Sequence, residues 1–260
     1  MNFVDTHSHL YAQEFKEDIS ETILRAKQSN VNKILLPNID IASIAPMLEL
    51  CKMDDCFHPM LGLHPTSIDN SYLEQLNEIE LLLDKANICA IGEIGIDLYW
   101  DKTFIEEQII AFETQAHWAM DRNLPLVIHV RKGFEEVFQS LDRLKKQIQC
   151  HDKSLKGVFH CFSGDLNQAK KVIEMGFKIG IGGVVTFKNA KLTDIVREID
   201  IEDILLETDA PYLAPSPYRG KRNESSYIPI IAQKISEIKN ISIEEVASIT
   251  TSSAQKLFSI

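Results

Sequence analysis

The chain lacks any C-x-x-C pair, and its cysteines are odd in number: Cys51, Cys56, Cys89, Cys150 and Cys161. This argues against a disulfide framework and against a zinc knuckle. No run of about 18 apolar residues is present, so a membrane-spanning helix is not expected. No basic, apolar leader opens the sequence, and the expected setting is reducing and cytoplasmic. No Pro/Gly/Ser-rich linker or low-complexity stretch divides the chain, so residues 1–260 are expected to form one domain. Excess positive charge is missing too. Lys and Arg number 27 against 38 Asp and Glu, a net charge of −11. That argues against a protein that coats nucleic acid non-specifically. It leaves room for an enzyme that holds phosphates locally through metal ions. Nothing points to an obligate protein partner.

What is present is a regular alternation of short apolar runs and amphipathic helical stretches. Strands are expected at 3–9, 33–37, 60–64, 88–95, 124–129, 156–160, 177–181 and 204–209. Helices are expected at 18–30, 41–51, 72–84, 103–122, 133–148, 166–175 and 192–198, with two closing helices at 226–239 and 242–258. Thr103/Glu106 and Ser242/Glu245 have the capping-box pattern, and Gly176 stands where a helix commonly stops. Eight strand–helix units in a chain near the usual length of about 250 residues predict an α/β fold, a (β/α)8 TIM barrel. An open doubly wound sheet rarely needs eight such units.

In such a barrel the active site forms at the C-terminal ends of the strands. Those ends carry His7 and His9, His64, Glu93, His129, His160 and Asp209. His7 and His9 are two residues apart, so on an extended strand they point the same way. An H-x-H pair alone also occurs by chance on a solvated strand. His64 alone could bond a loop carbonyl, and Asp209 alone could cap the next segment. The joint placement is different, because five of the eight histidines lie at one rim; His58, His117 and His151 do not, and no chemistry is assigned to them. A buried cluster of this kind is costly without a compensating cation.

Four histidines and two carboxylates exceed the needs of one tetrahedral zinc, which makes two divalent ions, Mg, Mn or Zn, the expected cofactor. Glu93 is the natural bridging carboxylate. One ion is expected on His7, His9 and Asp209, and the other on His129 and His160. Glu93 and Asp209 are the expected catalytic carboxylates, Asp209 as acceptor of the water's proton. Arg131 shares strand parity with His129. Ser163 and Gly164 open the loop after the sixth strand. Arg219, Lys221 and Arg222 form a basic cluster after the eighth, where barrels often bind phosphate. Taken by itself such a cluster reads as a solvated loop, but its place after the eighth strand makes Arg219, Lys221 and Arg222, with His64, Arg131 and Ser163, the expected substrate-binding residues.

The stretches VDTHSHL (4–10), GLHP (62–65), IGEIGIDLYWD (91–101), PLVIHVR (125–131), FHCFSG (159–164), IGIGG (179–183), LLETDAPYLAP (205–215) and RGKRNE (219–224) together resemble the TatD family of metal-dependent deoxyribonucleases. The resemblance implies hydrolysis of DNA phosphodiesters, with 3′-to-5′ exonuclease action on single strands and cleavage at damaged sites. It carries the metal ligands onto His7, His9, Glu93, His129, His160 and Asp209, and places His64, Arg131 and the 219–224 loop near bound DNA. Ser225 stands where the family has proline, and Ser253 where asparagine is usual; neither is a ligand position. Two rivals remain. One is a hydrolase of a small ester, lactone or cyclic amide on the same barrel, although many of those carry a lysine on the fourth strand where this chain has Glu93. The other is a catalytically silent metal-binding scaffold.

Overall fold

A computed structural model describes residues 1–99, 101–148 and 154–260. Trp100 of the 91–101 motif, Cys150 and His151 lie outside the described residues. Eight strands run β1 (Phe3–Asp5), β2 (Val31–Pro37), β3 (Phe57–Leu61), β4 (Ala90–Asp97), β5 (Leu126–Arg131), β6 (Gly157–Phe159), β7 (Phe177–Ile181) and β8 (Ile204–Leu206). The helices are α1 (Ile19–Gln28), α2 (Ile41–Cys51), α3 (Tyr72–Leu83), α4 (Ile105–Arg122), α5 (Phe134–Ile148), α6 (Leu166–Glu174), α7 (Leu192–Glu198), α8 (Ile228–Lys239) and α9 (Ile243–Phe258). The strands pair in parallel in chain order, β1 to β8. The ring is closed just beyond the first and last strands. There Thr6 N–H donates to the Leu206 carbonyl (3.0 Å), Asp209 N–H donates to that of His7 (2.9 Å), and Ser8 bridges Ala210.

Side-chain alternation divides the core into two layers. Ile34, Leu36, Leu61, Ile91, Leu126, Ile128, Phe159, Ile179, Ile204 and Leu206 face the helices. The residues between them, Val4, Leu35, Met60, Ala90, Val127, Val158 and Leu205, fill the lumen, and Ala254 and Phe258 of α9 pack against this inner set. On β7 the corresponding inward position is Gly180. A Cβ there would lie 2.3 Å from the Glu207 carboxylate, so the glycine makes room for a buried acid.

Several local expectations are corrected. β1 and β8 end earlier than 9 and 209, because the Asp5 carboxylate takes over from the ladder. It accepts the Thr208 N–H (2.9 Å), the Thr208 hydroxyl (2.6 Å) and the His7 N–H (3.3 Å). β3 ends at Leu61 rather than 64, since His64 caps a short 3-10 turn that begins at Pro65. β4 and β5 run on by two residues and pair Asp97 with Arg131. The Thr103/Glu106 capping box is absent: Thr103 turns its hydroxyl and N–H to Asp101, and α4 has no side-chain cap. Capping boxes do start α9, at Ser242/Glu245, and also α2, at Asp40/Ser43, and α6, at Asp165/Gln168. Gly176, with φ of +85°, follows α6 in the left-handed conformation that favours glycine.

Candidate metal centre

The C-terminal rim brings His7, His9, His64, Glu93, His129, His160 and Asp209 into one cluster, buried except for partly exposed His129 and Asp209. The parity of the lumen layer explains part of it. His129 lies two residues after Val127 and His160 two after Val158, so both continue the inward face. Glu93 breaks parity, being three residues after Ala90, and does so across a register shift between Ile91 and Ile94 that turns its carboxylate inward.

Glu93 is the hub. Its Oε2 lies 3.1 Å from His7 Nε2 and 3.8 Å from His9 Nε2. Its Oε1 lies 2.5 Å from His160 Nε2, 2.9 Å from His129 Nδ1 and 3.3 Å from His64 Nε2. Asp209 Oδ1 approaches His9 Nε2 (3.6 Å) and His7 Nε2 (4.0 Å). The carboxylate therefore divides the histidines into two sets, one per oxygen.

Hydrogen bonds set the ring tautomers of the neutral imidazoles. The Tyr11 hydroxyl donates to the Pro37 carbonyl (2.7 Å), so His9 Nδ1–H donates to Tyr11 (2.9 Å) and the Nε2 lone pair faces the centre. Asp97 accepts from His129 Nε2–H (3.0 Å), leaving the Nδ1 lone pair toward Glu93. This carboxylate–histidine pairing commonly orients metal ligands. His64 is the opposite case. Thr66 N–H donates to its Nδ1 (3.1 Å), so Nε2 carries the proton and acts as a donor. Ring nitrogens also converge in pairs, His7 Nε2 with His9 Nε2 at 3.3 Å and His160 Nε2 with His129 Nδ1 at 3.4 Å. A cation resolves such contacts. Three triads have atoms close enough to share one: His7–His160–Asp209, His7–His9–Glu93 and His64–Glu93–His129. The donor set fits divalent metal.

Electrostatics follow the same geometry. Burial raises the Glu93 pKa, but His160, His64, His7 and the His129 hydrogen bond outweigh it and hold the carboxyl well below its ordinary value. Burial, aided by His160, lowers His7 to about 4. For His160 the desolvation of the ring is overcome by Glu93, with Glu207 adding to it, and the value is raised to about 9. Glu207 itself is fully buried and pushed up to about 8 by desolvation. It accepts the Cys161 N–H, its Oε1 lies 3.9 Å from His160 Nδ1, and its Oε2 has no partner among the described residues.

A cavity of about 820 Å³ opens over the cluster, lined by His9, His64, Glu93, His129, His160 and Asp209 and also by Arg131, Ser163 and Gly164. Arg131 lays its guanidinium over the Tyr99 ring at 3.6 Å, and the Ser163 hydroxyl donates to the Val130 carbonyl. The basic loop is not brought to this cavity. Arg219 stacks on Phe187 and Lys221 lies over Tyr218. Arg222 grips Asp18 through two bonds of 2.6 and 2.7 Å and also bonds the Glu14 carbonyl. Three of the Arg222 N–H groups are thus spent on Asp18 and Glu14, a structural engagement that the phosphate-binding expectation did not include. Asp5, Asp97, Glu207 and Lys191 were not singled out from the sequence. Glu207 was accessible by parity, two residues after Leu205, and Asp97 only through the extra length of β4.

The rim cluster on a parallel eight-stranded barrel defines a metal-dependent hydrolase. The profile of the family described as TatD related DNase matches residues 4–259. The metal-dependent hydrolase YabD of Bacillus subtilis is 38% identical over 257 residues, 98% of each chain, and YjjV of Escherichia coli is 30% identical over 261 residues, 99% of this chain and 98% of its own. The crystal structure of YjjV, a TatD homologue, superposes with a TM-score of 0.88 at 29% identity, covering 99% of this chain and 98% of that one. A TatD-family hydrolase from Entamoeba histolytica gives a TM-score of 0.85 at 25% identity, covering 99% and 98%. The chain belongs to the TatD family of metal-dependent hydrolases. Among the described residues no helix is long and apolar enough to cross a membrane.

Proposed function

We propose that this hydrolase cleaves DNA phosphodiester bonds, acting as a 3′-to-5′ exonuclease on single strands with two divalent cations. The observation that carries this reading is the division at Glu93, whose Oε2 faces His7 and His9 while Oε1 faces His160 and His129. In this reading His7, His9 and Asp209 would hold one cation, His129 and His160 would hold the other, and Glu93 would serve both. When bound, such a pair lowers the pKa of a water and neutralises charge developing on the phosphate. The protein's own groups supply the rest. Asp209 accepts the proton of the attacking water, whose oxygen bonds to phosphorus as one P–O ester bond breaks. His64 Nε2–H, held in its donor tautomer by Thr66, bonds a non-bridging phosphate oxygen. Arg131 pairs with the phosphate from the cavity wall.

The test is digestion of end-labelled single-stranded DNA by metal-stripped protein, with magnesium, manganese or zinc restored in turn, for wild type and His129→Ala. A metal-dependent ladder shortening from the 3′ end, lost in the variant, is expected. Hydrolysis of small esters with no cleavage of DNA under any ion would overturn the reading in favour of a small-molecule hydrolase.

A further inference from the structure

Glu207 takes no part in the chemistry proposed above, yet the fold reserves a place for it. It is fully buried, and a Cβ on Gly180 of the neighbouring strand would lie 2.3 Å from its Oε2. Its Oε1 accepts the Cys161 N–H, which anchors it to the residue that follows His160. The same oxygen stands 3.9 Å from His160 Nδ1. Among the described residues neither His160 Nδ1 nor Glu207 Oε2 has a hydrogen-bond partner. Buried polar atoms left unpaired in this way call for a functional reason.

Two other rim histidines show what is missing. The Tyr11 hydroxyl holds His9 Nδ1–H and Asp97 holds His129 Nε2–H, which leaves the opposite nitrogen of each ring toward the centre. On His160 the nitrogen toward the centre is Nε2, 2.5 Å from Glu93 Oε1. Without a cation that contact is a hydrogen bond, and Nε2 carries a proton. A cation needs the Nε2 lone pair instead. Whatever form the free ring had, the proton of a ligating, neutral His160 is then on Nδ1. A buried N–H needs an acceptor, and Glu207 Oε1 faces it. Closing 3.9 Å to an ordinary hydrogen bond of about 3 Å takes a shift of about 1 Å. His7 Nδ1 is also unpartnered, but the acids beside His7, Glu93 and Asp209, both approach its Nε2.

We infer that Glu207 is a positioning residue for His160: when a cation binds at Nε2, His160 Nδ1–H donates to Glu207 Oε1 and the pair fixes the ring for ligation. The inference rests on the metal-centre reading above and extends it from the ligands to the residue behind one of them.

The experiment uses the full chain and zinc, which has a filled d shell and binds imidazole. Long-range 1H–15N spectra of protein carrying 15N-histidine are recorded with and without zinc. Zinc affinity is measured by competition with a chromophoric chelator, for wild type, Glu207→Gln and Glu207→Leu. In zinc-loaded wild type His160 is expected as the Nδ1–H tautomer. Glu207→Leu removes the acceptor and should lose about 10–100-fold in affinity, the common effect of altering such an outer partner. Glu207→Gln keeps a carbonyl oxygen for the Cys161 and His160 donors but loses the charge. It should lose less affinity, and the His160 Nδ1 proton resonance should move upfield as a weaker acceptor replaces the acid. A residue that only caps the Cys161 N–H would change the Tm of the metal-free protein and neither of these readouts. His160 found as the Nε2–H tautomer with zinc bound, an unmoved Nδ1 proton in Glu207→Gln, or wild-type affinity in Glu207→Leu overturns the inference and leaves the metal centre standing. Should Glu207→Leu fail to fold, the wild-type and Glu207→Gln spectra decide. A wild type that binds no zinc removes both readings.

Discussion

Replacing Arg222 by alanine separates two roles for the basic loop after β8. The side chain makes two bonds to Asp18, one to the Glu14 carbonyl, and lies over the Phe15 ring at 4.5 Å. Both partners are partly exposed, Arg222 at 28% and Asp18 at 34%, so the ion pair is discounted to about 1 kcal/mol. The ring contact adds about 0.5–1 kcal/mol. The expected loss is therefore about 2 kcal/mol. With an unfolding entropy of about 2.1 cal/mol/K per residue over 260 residues, that lowers Tm by about 4 °C. pH gives a second readout. The Arg222 hydrogen bond is the largest cause holding the Asp18 carboxyl below its ordinary value of 3.8. A depressed folded-state pKa contributes stability above the unfolded value and loses it as pH falls toward the folded one. The gap in Tm between wild type and Arg222→Ala should thus be constant above about pH 5 and narrow below about pH 4. Thermal unfolding across pH and oligonucleotide KM are the two assays. An unchanged Tm with a tenfold rise in KM would refute the structural role and return Arg222 to phosphate binding.

Glu93→Gln should reduce turnover by about 10²–10³-fold, the usual cost of losing a preorganised charge-stabilising group, and metal titration should show weaker binding. Asp97→Asn leaves the fold intact but loosens His129, with an expected 10–100-fold loss of metal affinity, about the usual effect of altering such an outer partner. Adding a tightly bound divalent ion at about 100 times its Kd should raise stability by about 2.7 kcal/mol, and a chelator should reverse the gain in Tm. Gly180→Ala sets a methyl against the Glu207 carboxylate. It should cost about 1–3 kcal/mol, read as a lower denaturant midpoint, and an unchanged midpoint would show that Glu207 can move aside.

Parity carried much of the site. On β5 and β6 the alternation that sends Val127 and Val158 into the lumen also sends His129 and His160 to the rim, and a regular strand lets this be read from spacing. The same count would have found Glu207, but an acid following Leu205 inside a barrel gains meaning only with Gly180 opposite it. Glu93 was marked by residue type and motif, since the register shift in β4 defeats counting. The Arg222 pairing was not legible, because a cation in a loop looks available until the chain is folded. Asp18 lies 204 positions away, and only packing of the loop against the start of α1 brings them together.

The sequence by itself determined the barrel, the family and the identity of the rim side chains. These depend on local alternation, element count and residue type, which are properties of neighbours along the chain. The tertiary structure alone decided the two-sided contacts of Glu93, the donor tautomer of His64, the pairing of Asp97 with His129 and the placing of Glu207 against His160. Each depends on distances between side chains from different strands or loops, fixed by strand register and by how the rim loops pack.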